Sequence, residues 1–165
     1  MKPQLDALNA IADVVMRYRP GVDAPSAKSA IKESLQTFYE FFAGAGMARA
    51  GLGPKWKCLF ANDFDIKKSA IYRKNWDGNA LVTRDVSKLK TSDIPGTASL
   101  VWASFPCQDL SLAGLGAGLK GDRSGTFWPF WQLMQSLRAE GRAPKTIVLE
   151  NVCGALSSHG GKDFA

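Results

Sequence analysis

Short apolar runs alternate with longer stretches of mixed polarity along most of this chain. Residues 38–43, 57–61, 80–82, 100–103 and 146–149 read as buried strands, being brief and largely apolar. Between them, residues 45–52, 66–75 and 126–139 carry helical character. Strands that alternate with helices predict a mostly parallel sheet covered on both faces, an open α/β fold of Rossmann type. Residues 1–36 stand apart as an N-terminal helical extension to a domain over residues 37–165. Leu5, Leu8, Ile11, Val15 and Met16 recur at roughly helical spacing, so residues 3–19 predict an amphipathic helix. Pro20-Gly21 ends it, Pro25 marks a turn, and Ser26 is placed to cap a second helix through Leu35. The first helix has two readings, a docking element or a segment packed against the domain that follows.

A chain of 165 residues suits one domain with a sizeable core. Hydrophobic content of 45% and charged content of 22% belong to a soluble globular protein. No apolar run approaches the roughly 18 residues that cross a bilayer. The N-terminus has neither an apolar signal core nor a small-residue cleavage site, so a cytoplasmic location and no membrane partner are expected. The net charge of +6 and pI near 9.3 suit a polyanionic partner, though the basic residues are scattered and form no tail. Cys58, Cys107 and Cys153 are an odd number without a C-x-x-C, and His159 is the only histidine. That argues against both a disulfide framework and zinc; a cysteine with chemistry to do would act singly, as a nucleophile.

The first strand runs into Phe42-Ala43-Gly44-Ala45-Gly46-Met47, a glycine turn that lets backbone approach a ligand and aims helix N–H groups at it. The dinucleotide fingerprint wants a third glycine where Arg49 stands, so the turn alone is weak evidence. At the end of the second strand Asp63 is placed to accept ribose hydroxyls, and Phe64 to stack on adenine. After the third strand, Asp85-Val86 brings a carboxylate towards an adenine amino group. Three such elements at the ends of successive strands predict a nucleoside crevice.

After the fourth strand comes Ser104-Phe105-Pro106-Cys107-Gln108-Asp109, and here the chain resembles the cytosine-C5 methyltransferases, whose nucleophile loop is Pro-Cys-Gln. The match continues in family order: Phe42–Gly46 for the first motif, Asn62-Asp63 for the second, Asp85-Val86 for the third. Gly121-Asp122-Arg123-Ser124-Gly125-Thr126-Phe127 is similar to the fifth motif and Glu150-Asn151-Val152 to the sixth. The resemblance covers about residues 38–165. It implies the Rossmann-like fold of methyltransferases that use S-adenosyl-L-methionine, with double-stranded DNA as substrate and a link to restriction-modification. It also implies that Cys107, as thiolate, adds to carbon 6 of a flipped cytosine so that carbon 5 becomes nucleophilic. Glu150, its pKa raised by burial, would protonate or hydrogen-bond nitrogen 3, beside Asn151.

Phe42, Ala43, Gly44, Gly46, Asp63, Phe64, Asp85 and Val86 are the candidate cofactor residues, and Pro106, Cys107, Gln108, Glu150 and Asn151 the catalytic ones. Ser111, Lys120 and Arg123 are candidates for substrate contact, and residues 112–118 form a glycine-rich loop suited to closing over a flipped base. Cys58 and Cys153 read as packing residues, and His159 as part of a surface loop.

Two departures stand out. Met47 replaces a frequent glycine, and Glu40 stands where the family usually has aspartate. The sequence also stops just after the sixth motif, before the arginine-bearing motif, target-recognition region and closing helix of the family. The expectation is a sheet edge left unpaired and little sequence-specific activity from this chain alone. A fragment, one subunit of a split enzyme partnered by a second polypeptide, and a decayed reading frame all fit. A tRNA cytosine-C5 methyltransferase or an inactive cofactor- or DNA-binding remnant are the alternative functions.

Overall fold

The computed structural model describes residues 35–106 and 124–153. The expected N-terminal helices, the glycine-rich loop, Cys107, Gln108, Ser111, Lys120, Arg123 and His159 lie outside them.

Five parallel strands form one sheet in the order β3-β2-β1-β4-β5. They are β1 (Gln36–Phe41), β2 (Trp56–Asp63), β3 (Leu81–Thr83), β4 (Leu100–Ala103) and β5 (Thr146–Leu149). Helix α1 (Met47–Leu52) follows β1, α2 (Ile66–Asn75) follows β2, and α3 (Phe127–Ala139) precedes β5. The chain therefore winds outward from β1 in one direction and, after crossing over, in the other from β4. The β1/β4 boundary is the topological switch point, where open α/β sheets bind ligands beyond the carboxyl ends of their strands.

The apolar pattern explains the layers. In β1, Phe38 to Phe41 are all buried, as a central parallel strand requires. Tyr39 and Phe41 share a core with Phe60, Val101 and Ala103 of the sheet and with Phe127, Phe130, Leu133, Met134 and Leu137 of α3. Those α3 positions recur at three- and four-residue intervals, one stripe of a helix facing a sheet. On the opposite face Ala43, Ala61, Tyr72 and Leu81 form a smaller cluster flanked by Cys58 and Trp76.

Strands β4 and β5 and helix α2 occupy their predicted residues. Strand β1 ends at Phe41, two residues early, because Phe42 turns to a left-handed backbone with φ 57°. Strand β2 extends to Asp63, since its last residues still pair with β3. Among the described residues β5 pairs only with β4, so it is an edge strand and Leu149 and Glu150 are exposed. The Cys153 side chain is exposed rather than packed, whereas Cys58 is half-buried and burial pushes its thiol up to about 11. No helix among the described residues is long and apolar enough to cross a membrane.

Candidate active site

A cleft of about 570 Å³ opens beyond the carboxyl ends of β1, β2, β4 and β5. Phe42 lines it from β1, Asp63, Phe64 and Asp65 from β2, Pro106 from the segment after β4, and Glu150 and Asn151 from the end of β5. The volume is within the range of small-molecule sites.

The segments that follow β4 and β5 are stitched together. Asn151 donates from Nδ2 to the Phe105 carbonyl at 2.9 Å, and the Glu150 N–H donates to the Ala103 carbonyl at 3.0 Å. Phe105 is anchored from beneath, buried against the Phe127 ring with centroids 5.3 Å apart. Pro106 and Glu150 are thereby held on one wall, and Cys107 is the next residue in sequence after Pro106.

The glycine turn is built from its neighbours. The Gly44 N–H donates to Asp63 Oδ2 at 2.8 Å, and the Asp65 N–H donates to Asp63 Oδ1 at the same distance. The ends of β1 and β2 are joined in this way, with the carboxylate at the cleft wall. Each oxygen keeps lone-pair capacity for a further donor, such as a ribose hydroxyl. Asn62, quoted above only as part of a motif, is a buried brace: its Nδ2 donates to the carbonyls of Val82 and Arg84, and its own carbonyl accepts from Ala43 N–H.

Helix α1 starts at Gly46, which has no side chain to cap it. Glu40, reaching from β1, accepts from the Ala48 and Arg49 N–H groups instead. A carboxylate at a helix N-terminus meets both the free N–H groups and the positive end of the helix dipole. Burial nevertheless pushes its pKa up to about 7, against the lowering effect of those amides and of Arg49. Oε2 is buried and has no hydrogen-bond partner among the described residues.

Phe64 is 66% exposed at the cleft, an unusual position for so large an apolar ring and an open face for a planar ligand. Phe42 accepts a left-handed backbone, which costs a non-glycine residue about 1–2 kcal/mol, and its ring reaches both the cleft and Phe130.

Other candidates fall elsewhere. Val86 is buried in the core beside α3, because its apolar side chain turns under the short helical turn Val86–Lys88. Asp85 caps that turn, accepting from the backbone and hydroxyl of Ser87, and these bonds hold its carboxyl below the usual range. Neither is among the described residues that line the cleft. Ala43 is buried, and Gly46 is covered by Trp76 and Tyr72. The expected burial of Glu150 is absent, for it follows an edge strand and is exposed. Lys68 and Ser104, not singled out in the sequence, also line the cleft. Among the described residues no group of three or more histidine, cysteine or acidic side chains is placed to hold a metal.

Residues 36–165 match the C-5 cytosine-specific DNA methylase family. The chain belongs to that family. Among similar proteins is the type II methyltransferase M.BsuFI of Bacillus subtilis, 31% identical over 129 residues, covering 78% of this chain and 30% of that protein. Another is the type II methyltransferase M.HpaII of Haemophilus parainfluenzae, 31% identical over 163 residues, covering 96% of this chain and 42% of that protein. The methylase-family chain thus spans less than half the length of these curated relatives. Solved structures with the same fold include S. pombe Dnmt2 methyltransferase, with a TM-score of 0.58 at 20% identity, covering 78% of this chain and 38% of that one. The Entamoeba histolytica methyltransferase EhMeth gives a TM-score of 0.60 at 18% identity, covering 74% and 40%. The parallel sheet is therefore that of a Rossmann-like methyltransferase.

Proposed function

We propose that this methylase-family chain carries the cofactor-binding and nucleophile-bearing part of a DNA cytosine-C5 methyltransferase. The observation that carries this reading is the Asn151–Phe105 clasp, which sets Glu150 and Pro106 on one wall of a cleft whose other wall is Phe42, Asp63 and Phe64. A nucleoside-sized cleft with an open aromatic ring, an acceptor carboxylate and a close glycine turn fits the adenosyl part of S-adenosyl-L-methionine. Among the described residues an added Cβ at Gly44 would meet no atom within 4 Å, so the turn leaves room for a ligand there.

When bound, that cofactor supplies an electrophilic methyl group. In this reading Phe64 stacks on its adenine and Asp63 accepts from its ribose hydroxyls. Cys107 forms a bond from Sγ to carbon 6 of the cytosine, moving the ring's electron pair to carbon 5. Glu150 holds nitrogen 3 through a hydrogen bond; carbon 5 would take the methyl group, leaving S-adenosylhomocysteine, and loss of the carbon-5 proton to a base with expulsion of the Cys107 thiolate restores the ring. Duplex stacking hides both carbons, so the base must leave the helix to reach the cleft. The relatives M.BsuFI and M.HpaII are type II methyltransferases, and double-stranded DNA is the proposed partner.

The test is covalent trapping. The purified chain is incubated with S-adenosyl-L-methionine and duplex DNA carrying 5-fluorocytosine, which cannot lose its carbon-5 substituent as a proton. A slow-migrating band on a denaturing gel, absent for Cys107→Ser, is expected, weak for this chain alone and strong when a relative's target-recognition region is supplied with it. Trapping on fluorocytosine RNA but not DNA would overturn the DNA assignment, and a band that survives Cys107→Ser would overturn the nucleophile.

A further inference from the structure

The glycine turn is held at three places, and only one of them faces the cleft. Asp63 takes the Gly44 N–H from the cleft side, and Glu40 takes the Ala48 and Arg49 N–H groups from the sheet. The third hold comes from the end of α2 and lies outside the group of residues lining the cleft. Asn75 Nδ2 and Trp76 Nε1 both donate to the Ala45 carbonyl, at 3.1 and 3.2 Å. That carbonyl sits between the two glycines, so its direction sets the path of the turn.

The same indole closes on Gly46. A Cβ at that position would lie 2.1 Å from Trp76 Nε1 and 3.0 Å from Tyr72 Cε2, so the backbone approaches the ring as closely as only glycine permits. Arg49 lies over the Trp76 ring with its guanidinium carbon 4.7 Å from the centroid, and donates to the Tyr72 hydroxyl at 3.2 Å. Its ion pair with Asp77, at 3.5 Å, is exposed on the Asp77 side and adds little. Trp76 is thus fixed from α1 while it fixes the turn that leads into α1.

We propose that Trp76 and Asn75 are positioning residues for cofactor binding: the end of α2 holds the Ala45 carbonyl and sets the turn's shape from behind, without touching the ligand. This rests on the reading of the turn as the adenosyl-binding turn. Backbone that must approach a ligand closely gains affinity from being set beforehand, because the ordering cost is then met in the free protein. Arg49, at the place of the missing third glycine, acts in the same device by holding the indole.

The test is hydrogen exchange read by mass spectrometry on the full chain, with and without S-adenosylhomocysteine, together with calorimetric titration of that ligand. Trp76→Phe keeps a ring and removes the N–H; Asn75→Leu removes the second donor; Lys74→Ala is a control on an exposed neighbour. The expected result is faster exchange in residues 44–49 for each brace variant and faster still for the double variant. Exchange in β4 and in the Lys74→Ala protein should match wild type. The double variant should bind S-adenosylhomocysteine about tenfold more weakly, the equivalent of one net hydrogen bond. Unchanged exchange in residues 44–49, or an equal rise in β4, would overturn the brace. Unchanged affinity with a loosened turn would overturn the positioning role. A loosened turn in a chain whose wild type binds no S-adenosylhomocysteine would leave the brace standing and overturn the cofactor reading itself.

Discussion

The Gly44 N–H and the Asp63 carboxylate are joined at 2.8 Å across the ends of β1 and β2. The second oxygen of Asp63 takes the Asp65 N–H, so one carboxylate shapes both loops at the cleft. Asp63→Asn keeps the volume but turns one acceptor into a donor, which must face one of those N–H groups. The substitution should cost about 1–3 kcal/mol of stability, the usual range for a lost charge-assisted hydrogen bond. Binding of S-adenosylhomocysteine should weaken as well. Urea unfolding and calorimetric titration check the two effects, and retention of both at wild-type values would show that Asp63 does neither task.

Two glycines of one turn should respond differently to the same change. Gly44 and Gly46 both have positive φ, 56° and 85°, so alanine at either costs about 1–2 kcal/mol from backbone strain. At Gly44 the described residues leave space for a methyl group, whereas at Gly46 it collides with Trp76 and Tyr72. Gly44→Ala should therefore lower Tm by several degrees, and Gly46→Ala should lower it far more. Adding Trp76→Leu to Gly46→Ala should recover part of the loss, because the collision partner is gone and the two effects are no longer independent. Thermal melts of the three proteins decide it.

Glu40 gives the fold a pH dependence with a definite sign. Burial raises its folded pKa from an ordinary 4.5 to about 7. Between those values the folded chain keeps a proton that the unfolded chain has lost, so stability falls as pH rises through this window. The contribution is fully present below about pH 4.5 and gone above about pH 7. Arg49 from α1, Cys58 from β2 and Tyr72 from α2 all interact with this carboxyl, and burial holds both Cys58 and Tyr72 neutral across the window. Glu40→Gln keeps an acceptor for the Ala48 and Arg49 N–H groups but cannot titrate. Its urea midpoint between pH 5 and 8 should vary less steeply than that of wild type; parallel curves would rule out Glu40 as the source.

Much of this was legible along the chain because the governing interactions are local or periodic. Parallel strands read as short, largely apolar runs, so β4 and β5 could be placed to the residue, as could α2 from its helical character. The cleft was readable in outline because open parallel sheets collect ligand residues at strand ends, where Phe42, Asp63, Phe64, Pro106, Glu150 and Asn151 meet. Other features depend on which residues become neighbours after the sheet assembles. Nothing near Trp76 in sequence marks it as the partner of Ala45, a contact between residues 31 positions apart. Val86 carries the same identity whether it faces a ligand or α3, and only the packing of α3 on the sheet sends it inward. Sequence determined where the strands lie along the chain, the glycine turn and the chemistry available at the strand ends. Tertiary structure decided which of those groups face the cleft and which hold it from behind, because side-chain direction and burial are settled only when distant segments pack.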